Sequence, residues 1–348
     1  MDNIHKDIPF GSPVQVGQGV FLLKMPLPFR LDHINLYLID DQDGWILVDT
    51  GLNHRAVRET WEALADTVFQ QKPIKKILIT HLHPDHIGQA AWLQRRFKAD
   101  AYISEGDWLM AQRLWFSPAE SAIPRYAAHY RAFGVDGERF EQLIENRGNY
   151  QRLVKELPLQ VKFLRTGDII SAASGDWRVV SGSGHSPEHL CLWNEASREM
   201  ITGDHVLPKI TPNIGIIVGG LSNPLENYLL SLEDFLAIDC ARYFPAHGLP
   251  SENYHERIAE IKMHHHRQLQ KLLSGCGEPT TVYEAVGMLF DTELPPHQYM
   301  FALGETAAHL RYLESIGLMH RDGEKTWSFK SVSQADQQRE ETACASSV

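Results

Sequence analysis

Runs of apolar residues separated by short polar segments mark out strands in the first fifty residues of the chain. Residues 14–23 and 33–39 have the apolar pattern of strands. The polar segment 41–44, DQDG, follows the second run, and the apolar segment 45–51 leaves it. A short polar turn that contains glycine between two such runs predicts a β-hairpin.

The apolar spacing becomes helical after this hairpin. Residues 54–70 repeat apolar side chains at the spacing of one helix face. These side chains are Val57, Trp61, Leu64, Ala65 and Val68. A short apolar strand at 75–80, a helix at 87–97 and a strand at 100–104 follow. This β-α-β-α-β alternation predicts a layered α/β domain.

Residues 105–157 interrupt the alternation. They are rich in aromatic side chains, and their helical pattern has expected breaks at Pro118, Pro124 and Gly134. We predict a helical insertion. A cap that forms one wall of a substrate pocket is the role that this composition favours, and plain core packing is the alternative. Strand patterns resume between residues 162 and 207, and a helix at 224–239 precedes a last short strand.

A second module is predicted after this α/β region. One long helix is expected at 251–274, and the composition changes at residue 275. Segments 281–290 and 302–318 have helical patterns, and 319–329 has the pattern of a hairpin. Two helices followed by a two-stranded wing are the outline of a winged-helix module.

The chain is therefore predicted to contain three parts. Residues 1–250 form a large α/β domain that includes the insertion at about 105–157, and residues 251–330 form a small winged-helix-like domain. Residues 331–348 lack periodicity and are expected to be a disordered tail.

Charge and cysteine content narrow the classes of function. The 348 residues carry a formal net charge of −11, which disfavours electrostatic attraction to nucleic acids or anionic membranes. The apolar runs are too short to span a bilayer, and the first residues lack the apolar region of a signal peptide. The four cysteines are scattered, which favours a reducing compartment, so we predict a cytoplasmic protein without a membrane partner.

Candidate chemistry is concentrated at residues 80–87, THLHPDHI, where a predicted strand gives way to a helix. His81 and His83 alternate along an extended chain and can share one face, and Pro84 holds the turn. Asp85 and His86 then begin the helix and point into the same crevice. Ligands bind at the carboxyl ends of strands in open α/β sheets, and these nitrogen and oxygen ligands suit zinc or iron.

Three later residues occupy the same kind of position. His185, Asp204 and His247 each follow a predicted strand and are flanked by glycine or proline, which allow tight loops. Any one of them alone is more often a capping or loop residue. Four segments that present histidine or aspartate at strand ends together favour a shared binuclear metal site.

The order H-x-H-x-D-H, then His185, Asp204 and His247, resembles the metallo-β-lactamase superfamily of hydrolases. The segment VDTG at 48–51, with Asp49, is similar to another motif of that family. The resemblance covers roughly residues 14–250. It implies a four-layer αββα sandwich and makes residues 1–250 the catalytic domain.

The resemblance also implies seven ligands for two metal ions. The ligands of the first ion are His81, His83 and His185. The ligands of the second ion are Asp85, His86 and His247. Asp204 bridges both ions, and Asp49 orients ligands by hydrogen bonds. The expected cofactors are two Zn²⁺ ions, with iron or manganese as alternatives.

These ions predict a reaction class. Two close metal ions lower the pKa of a shared water, and the bridging hydroxide attacks the carbonyl of a small ester, thioester or lactone. The catalytic residue is Asp85, which orients the nucleophile in addition to binding metal. No serine lies in a G-x-S-x-G context. The expected partner is a small-molecule acyl substrate, and the sequence leaves a homodimer open.

Comparison with branches of the family limits the choice of substrate. Asp204 argues against antibiotic hydrolysis, and His83 argues against a flavodiiron protein, which carries glutamate there. The full seven-ligand set resembles the branch that contains glyoxalase II, lactonases and thioesterase-like members. Within that branch, Glu188 replaces the usual glycine of the third motif, which argues against glyoxalase II itself. The alternatives are an iron-dependent sulfur dioxygenase of the same superfamily, with one iron, and a nucleic-acid hydrolase, which the net charge disfavours.

Several histidines are expected to lie outside the metal site. His205 directly follows Asp204, and His189 follows His185 by four residues. Because the ligand count is full, both are predicted to be structural or to support the ligands. His264, His265 and His266 are consecutive in a predicted helix, where neighbouring side chains face different ways. They are therefore predicted to be a solvated surface. The C-terminal module has few basic residues, so packing or dimerisation is its expected role.

Overall fold

The computed structural model of the chain describes residues 8–28, 31–117, 119–147 and 150–332. Apart from residues 331 and 332, the predicted tail lies outside these described residues. The chain divides into two compact units, which interleave along the sequence. The first unit takes its described residues from Met1–Pro118, Asn149–Pro212 and Leu230–Ala259. The second unit takes its described residues from Ala119–Gly148, Asn213–Leu229 and Glu260–Val348. The division predicted at residue 250 stays a prediction.

The first unit contains a seven-stranded sheet whose strands follow one another in chain order. Its strands are β1 (Val14–Gly17), β2 (Val20–Pro26), β3 (His33–Asp41), β4 (Gly44–Val48), β5 (Ile74–Leu78), β6 (Asp100–Ile103) and β7 (Lys162–Phe163). Strands β1 to β4 are antiparallel, and β4 to β7 are parallel. The predicted hairpin is present, with Asp41 opposite Gly44 across the β3–β4 turn.

A five-stranded sheet completes the strands of the first unit, in the order β12-β11-β10-β9-β8. Its strands are β8 (Ile169–Ala172), β9 (Gly175–Gly182), β10 (His189–Asn194), β11 (Glu199–Gly203) and β12 (Arg242–Pro245). Strands β8 to β11 are antiparallel, and β12 runs parallel to β11. Because β11 and β12 are parallel, their carboxyl ends lie at the same edge of the sheet.

Strand β3, inside the first sheet, shows why this sheet is apolar on both faces. Side chains alternate across a strand, so successive residues enter different cores. Leu36 and Leu38 belong to a core that includes Trp61 of α1 (Arg55–Ala65). Tyr37 belongs to a core that includes Trp177 of β9. The second core therefore lies between the two sheets, and the first core lies under helices.

Helices also cover the outer face of the second sheet. The ring of Tyr254, the first residue of α10 (Tyr254–Gly275), lies 5.8 Å from the ring of Tyr243 on β12. The Tyr254 hydroxyl donates a hydrogen bond of 3.2 Å to the Phe235 carbonyl in α9 (Pro224–Leu236). Helix, sheet, sheet and helix are the four layers that were predicted, and the αββα fold class is confirmed.

Two helices predicted as single segments are each divided in the structure. The segment 54–70 forms α1 and α2 (Val68–Gln71), because Thr67 takes a backbone conformation of φ −125° and ψ −85° that no helix allows. The segment 87–97 follows α3 (Pro84–Ile87) and forms α4 (Ala90–Phe97). Gly88 separates these two helices, and a Cβ atom there would lie 2.6 Å from the Asn53 amide nitrogen.

The region 105–157 is helical, as predicted. Its helices are α5 (Glu105–Trp115), α6 (Ala119–Ala132), α7 (Gly137–Glu145) and α8 (Tyr150–Leu153). Gly134 ends α6 with a φ of 83°, but the break predicted at Pro124 is wrong, because this proline lies inside α6. A proline removes one backbone hydrogen bond, and here the helix continues through it. Pro118 lies outside the described residues, and the cap role stays a prediction.

The C-terminal part of the second unit contains two helices and a small sheet. The helices are α11 (Val282–Leu289) and α12 (Pro296–Ser315). The sheet strands are β13 (Thr280–Thr281), β14 (Met319–Asp322) and β15 (Ser328–Ser331), in the order β13-β15-β14. The predicted hairpin therefore gains a third strand, and the winged-helix assignment stays a prediction. Within the described residues, none of the helices combines the length and apolar character that a membrane crossing requires.

The core between the sheets should carry much of the stability of the first unit. Trp177 is fully buried there, whereas Leu159 is 80% exposed. Replacing Trp177 by alanine should lower the free energy of unfolding by about 3–5 kcal/mol, because it removes buried apolar surface and leaves a cavity. Leu159→Ala should change it by less than about 0.5 kcal/mol. Urea denaturation followed by far-UV circular dichroism measures both, and equal effects would contradict this description of the core.

Candidate metal centre

Five of the predicted ligands lie just beyond the carboxyl end of a strand or in the loop that follows it, and Asp85 and His86 lie in the short helix α3 (Pro84–Ile87). His81 and His83 lie between β5 and α3, and Pro84 fixes the first helical residue of α3. His185 lies in the loop after β9. Asp204 directly follows β11, and His247 follows β12 by two residues. Because β11 and β12 are parallel, their loops leave the second sheet at the same edge.

Four of these side chains form one group. The ligand atoms of this group lie within 4.8 Å of one another. The group consists of His81, His83, His185 and Asp204. His81 is fully buried, and its Nε2 lies 2.8 Å from Nδ1 of His83. The group combines three imidazoles with a carboxylate, a donor set that zinc accepts.

Three further side chains form a second group. The ligand atoms of Asp85, His86 and His247 also lie within 4.8 Å of one another. The Asp85 carboxylate lies 3.4 Å from Nε2 of His247 and 3.7 Å from Nε2 of His86. His86 is fully buried, whereas the Asp85 side chain keeps 22% of its surface exposed. Asp85 is therefore the carboxylate of this group that solvent can reach.

The carboxylate of Asp204 lies between the two groups. Its Oδ2 atom is 3.5 Å from Nε2 of His185 in the first group and 3.5 Å from Nε2 of His86 in the second. Its Oδ1 atom is 3.5 Å from Nε2 of His247. The seven predicted ligands are thus brought together, with Asp204 between the two groups, and its role as a bridging ligand stays a prediction.

Asp49 fixes the orientation of His86. Its Oδ2 accepts a hydrogen bond of 2.8 Å from Nδ1 of His86, and its Oδ1 accepts one of 2.8 Å from the Thr80 amide. A carboxylate accepts only, so Nδ1 of His86 must carry a proton. In the neutral ring, Nε2 then presents a lone pair. The φ of Asp49 is 63°, a left-handed conformation that aspartate tolerates better than most residues.

Charge and burial divide the histidines of the centre into two classes. Burial, together with neighbouring histidines, holds the pKa of His81 well below its usual value and lowers that of His83 to about 3. Burial disfavours the protonated forms of His86 and His247, but nearby carboxylates have the larger effect and raise the pKa of both. A positive charge is therefore favoured beside Asp85 and Asp204.

The residues fit a metal ion at this place. Nε2 of His86 and Oδ1 of Asp204 are buried and make no hydrogen bond. Nε2 of His86 lies 3.5 Å from Oδ2 of Asp204, and Oδ1 of Asp204 lies 3.5 Å from Nε2 of His247. Lone pairs that lie this close in a buried site repel, so the arrangement favours positive charge between them. A divalent metal ion would supply that charge, and the hydrogen bond from His86 to Asp49 is typical of a metal-bound histidine.

Comparison with known proteins agrees with this geometry. Residues 30–247 match the family model described as the metallo-beta-lactamase superfamily. The chain belongs to the metallo-β-lactamase superfamily. Residues 269–332 match a second model, described as the metallo-beta-lactamase-like C-terminal domain. The family assignment made from the H-x-H-x-D-H motif is therefore confirmed, and the C-terminal module is one that accompanies this superfamily.

Curated relatives of this superfamily member include hydrolases. It is 25% identical to the probable metallo-hydrolase YqjP of Bacillus subtilis, over 86% of this chain and 93% of that protein. It is 23% identical to the atrochrysone carboxyl ACP thioesterase of Aspergillus fumigatus, over 89% of this chain and 85% of that protein. The chain is therefore a hydrolase of the metallo-β-lactamase superfamily, with thioesterases among the proteins that resemble it.

Solved structures of the superfamily share nearly the whole architecture. A beta-lactamase domain protein from Burkholderia ambifaria is 34% identical, with a TM-score of 0.85 over 94% of this chain and 97% of that one. A metallo-beta-lactamase family protein from Thermus thermophilus is 29% identical, with a TM-score of 0.77 over 90% of this chain and 99% of that one. The similarity therefore extends beyond residues 30–247.

Two residues that support the ligand loops were missed by the sequence analysis. Asp107 of α5 accepts hydrogen bonds from the amides of Leu82, at 2.8 Å, and Glu188, at 2.7 Å. It thereby ties the His81–His83 loop to the His185 loop. Tyr150 donates a 2.6 Å hydrogen bond to the Leu82 carbonyl. Burial raises the pKa of Asp107 to about 6, against the effect of these amides. No motif marks either residue, because both act through backbone groups.

The residues flanking the predicted ligands have structural partners. Nε2 of His189 accepts a hydrogen bond of 3.1 Å from the Asp204 amide, and its ring stacks on His81. His205 Nε2 lies 2.7 Å from the Ser231 hydroxyl. Glu188 accepts a 3.0 Å hydrogen bond from the Gly106 amide, so its side chain anchors the third motif to the start of α5. These contacts suit the supporting roles predicted for His189 and His205.

The contact between Asp49 and His86 makes a specific prediction. Asp49→Asn keeps the shape and suits the left-handed backbone, but it can place an amide donor opposite Nδ1 of His86. The proton of His86 would then move to Nε2 and block metal binding. We expect ~10–100-fold weaker binding of one metal ion, measured by competition with a chromophoric chelator. Asp66→Asn is the control, since Asp66 is exposed. Unchanged affinity for both ions in Asp49→Asn would contradict the assignment.

Proposed function

We propose that this chain holds two metal ions in the centre described above and hydrolyses a small ester, thioester or lactone. The observation that carries the proposal is the position of Asp204, whose carboxylate faces both ligand groups. Two Zn²⁺ ions are the proposed occupants because imidazole and carboxylate donors suit zinc, and iron or manganese are the alternatives.

Two bound divalent ions would supply hydroxide near neutral pH and positive charge for the carbonyl oxygen. His81, His83 and His185 would hold one ion. Asp85, His86 and His247 would hold the other, and Asp204 would contact both. Asp49 keeps His86 in the tautomer that presents Nε2, and Asp107 holds two ligand loops together. The chain thus arranges the ligands before a substrate enters.

Asp85 is the residue proposed to act on the nucleophile directly. Burial raises the pKa of its carboxyl, but positive charge on His86 and His247 outweighs burial and lowers that pKa to about 2. Where these two imidazoles are neutral metal ligands, the positive charge of the bound ions would act in the same direction. The carboxylate is therefore ionised at neutral pH. Because its side chain is partly exposed, it can accept a hydrogen bond from the O–H of the nucleophile and orient the oxygen towards the carbonyl carbon.

The proposed reaction is the hydrolysis of the acyl substrate by one molecule of water. The oxygen of water forms a bond to the carbonyl carbon, and the bond from that carbon to the leaving sulfur or oxygen breaks. The proton of water goes to the leaving group. Among the three substrate classes we favour a thioester, because a relative named as an acyl carrier protein thioesterase aligns with 89% of this chain.

A cytoplasmic location is part of the proposal. The scattered positions of the four cysteines support it, because disulfide frameworks are typical of oxidising compartments. The proposed partner is a small acyl compound.

The test is a hydrolysis screen with acyl thioesters, aryl esters and lactones, with metal content measured on the same sample. We expect turnover of at least one class and two metal ions in this centre. Asp204→Asn should lower kcat/KM by at least about 100-fold and lower the metal content, because it removes the charge shared by both groups. Asp66→Asn should match the native protein in both measurements.

Three outcomes would overturn the proposal. Full activity in Asp204→Asn, with native metal content, would contradict the role of the bridging carboxylate. A single iron per chain together with oxygen consumption would instead support the sulfur dioxygenase that is the alternative within the superfamily. Tight, salt-sensitive binding of DNA or RNA would support the nucleic-acid hydrolase.

A further inference from the structure

A second cluster of metal-binding side chains lies in the second unit, away from the seven predicted ligands in the sequence. His264 and His265 of α10 and Glu305 of α12 each offer a ligand atom, and these atoms lie within 4.8 Å of one another. His265 is fully buried and Glu305 is 7% exposed. The prediction that residues 264–266 form a solvated surface is therefore wrong for His265, because α12 packs against that face of α10.

Hydrogen bonds around the cluster fix which nitrogen of His265 carries a lone pair. The Glu305 backbone carbonyl accepts a hydrogen bond of 2.8 Å, so Nδ1 of His309 must donate it. In the neutral His309 ring, Nε2 is then an acceptor. It lies 3.0 Å from Nδ1 of His265, which therefore carries a proton. The remaining nitrogen of His265, Nε2, presents a lone pair.

Both rings of this chain of hydrogen bonds are neutral. Burial lowers the pKa of His309 to about 4 and that of His265 to about 2. Nε2 of His265 is buried and makes no hydrogen bond. A ligand histidine in a metal site has this arrangement. One ring nitrogen donates a hydrogen bond to a neighbouring acceptor, as Nδ1 of His265 does, and the other nitrogen faces the ion, as Nε2 would.

Glu305 is also held by a neighbour. Asn213 donates a hydrogen bond of 3.0 Å from its amide nitrogen to Oε2 of Glu305. This contact orients the carboxylate and leaves Oε1 as its other acceptor atom. His264 is only partly buried, so the cluster keeps a side through which an ion can enter.

We propose that His264, His265 and Glu305 form a further zinc site, which ties α10 to α12 and is separate from the catalytic centre. Two imidazoles and one carboxylate are a donor set that zinc accepts, and a water would complete four-coordination. The ligand atoms lie within 4.8 Å of one another, and neighbouring ligand atoms around tetrahedral zinc lie about 3.3 Å apart. Small side-chain movements would bring them to that distance. The proposed role is structural, because a bound ion stabilises the folded state that it binds.

The test measures zinc in the full-length protein and in matched variants. Each protein is stripped with a chelator, dialysed against Zn²⁺ and analysed by mass spectrometry for metal per chain. Glu305→Gln keeps the shape and the contact with Asn213 but removes the charged ligand, and His264→Gln alters a partly exposed ligand. We expect each variant to hold one zinc fewer than the native protein. His266→Gln is the control, because His266 is exposed and lies next to the cluster.

Two further readouts separate this site from the catalytic centre. Added Zn²⁺ should raise the Tm of the native protein and of His266→Gln by several degrees more than that of Glu305→Gln. The turnover of Glu305→Gln should stay within about twofold of native, because the seven catalytic ligands are unchanged. Equal zinc content in native protein, Glu305→Gln and His264→Gln would overturn the proposal.

Discussion

A buried carboxylate that several histidines approach is the constraint on which the centre depends. Asp204 lies at the end of β11 with three imidazole nitrogens 3.5 Å from its oxygens. An ionised carboxylate in a buried place is costly unless positive charge neutralises it. Protonated histidines can do so only by giving up their lone pairs, whereas metal ions neutralise the carboxylate and use those lone pairs. The two-sheet fold serves this arrangement by delivering ligands from separate strand ends.

The strand ends are held together by hydrogen bonds that leave little freedom to the ligands. Asn35 on β3 donates to the carbonyls of Pro245, at 3.1 Å, and Gly248, at 2.6 Å, on either side of His247. Asp107 joins the two loops that carry the first group. A metal site formed by loops needs such supporting contacts, because small shifts of a ligand weaken binding and catalysis. The first sheet, the second sheet and α5 all contribute to one centre.

The ligands were predictable because their signal is local. The H-x-H-x-D-H motif follows a short apolar strand, and His185, Asp204 and His247 each follow a later strand. The supporting residues gave no such signal. Asp107 acts on backbone amides far away in the sequence, and Tyr150 acts on a backbone carbonyl. The burial of His265 depends on α12, which the pattern of α10 alone does not reveal, and the division of the 54–70 segment depends on one residue's backbone conformation.

Anomalous diffraction at the zinc absorption edge, from crystals of the full-length protein grown with Zn²⁺, would locate the bound ions. We expect two peaks in the catalytic centre, one among His81, His83 and His185 and one among Asp85, His86 and His247. Each peak should lie about 2.0–2.2 Å from its ligand atoms, with the Asp204 carboxylate as the common neighbour. A single peak in this centre, or two peaks that Asp204 does not contact, would contradict a dinuclear site bridged by Asp204.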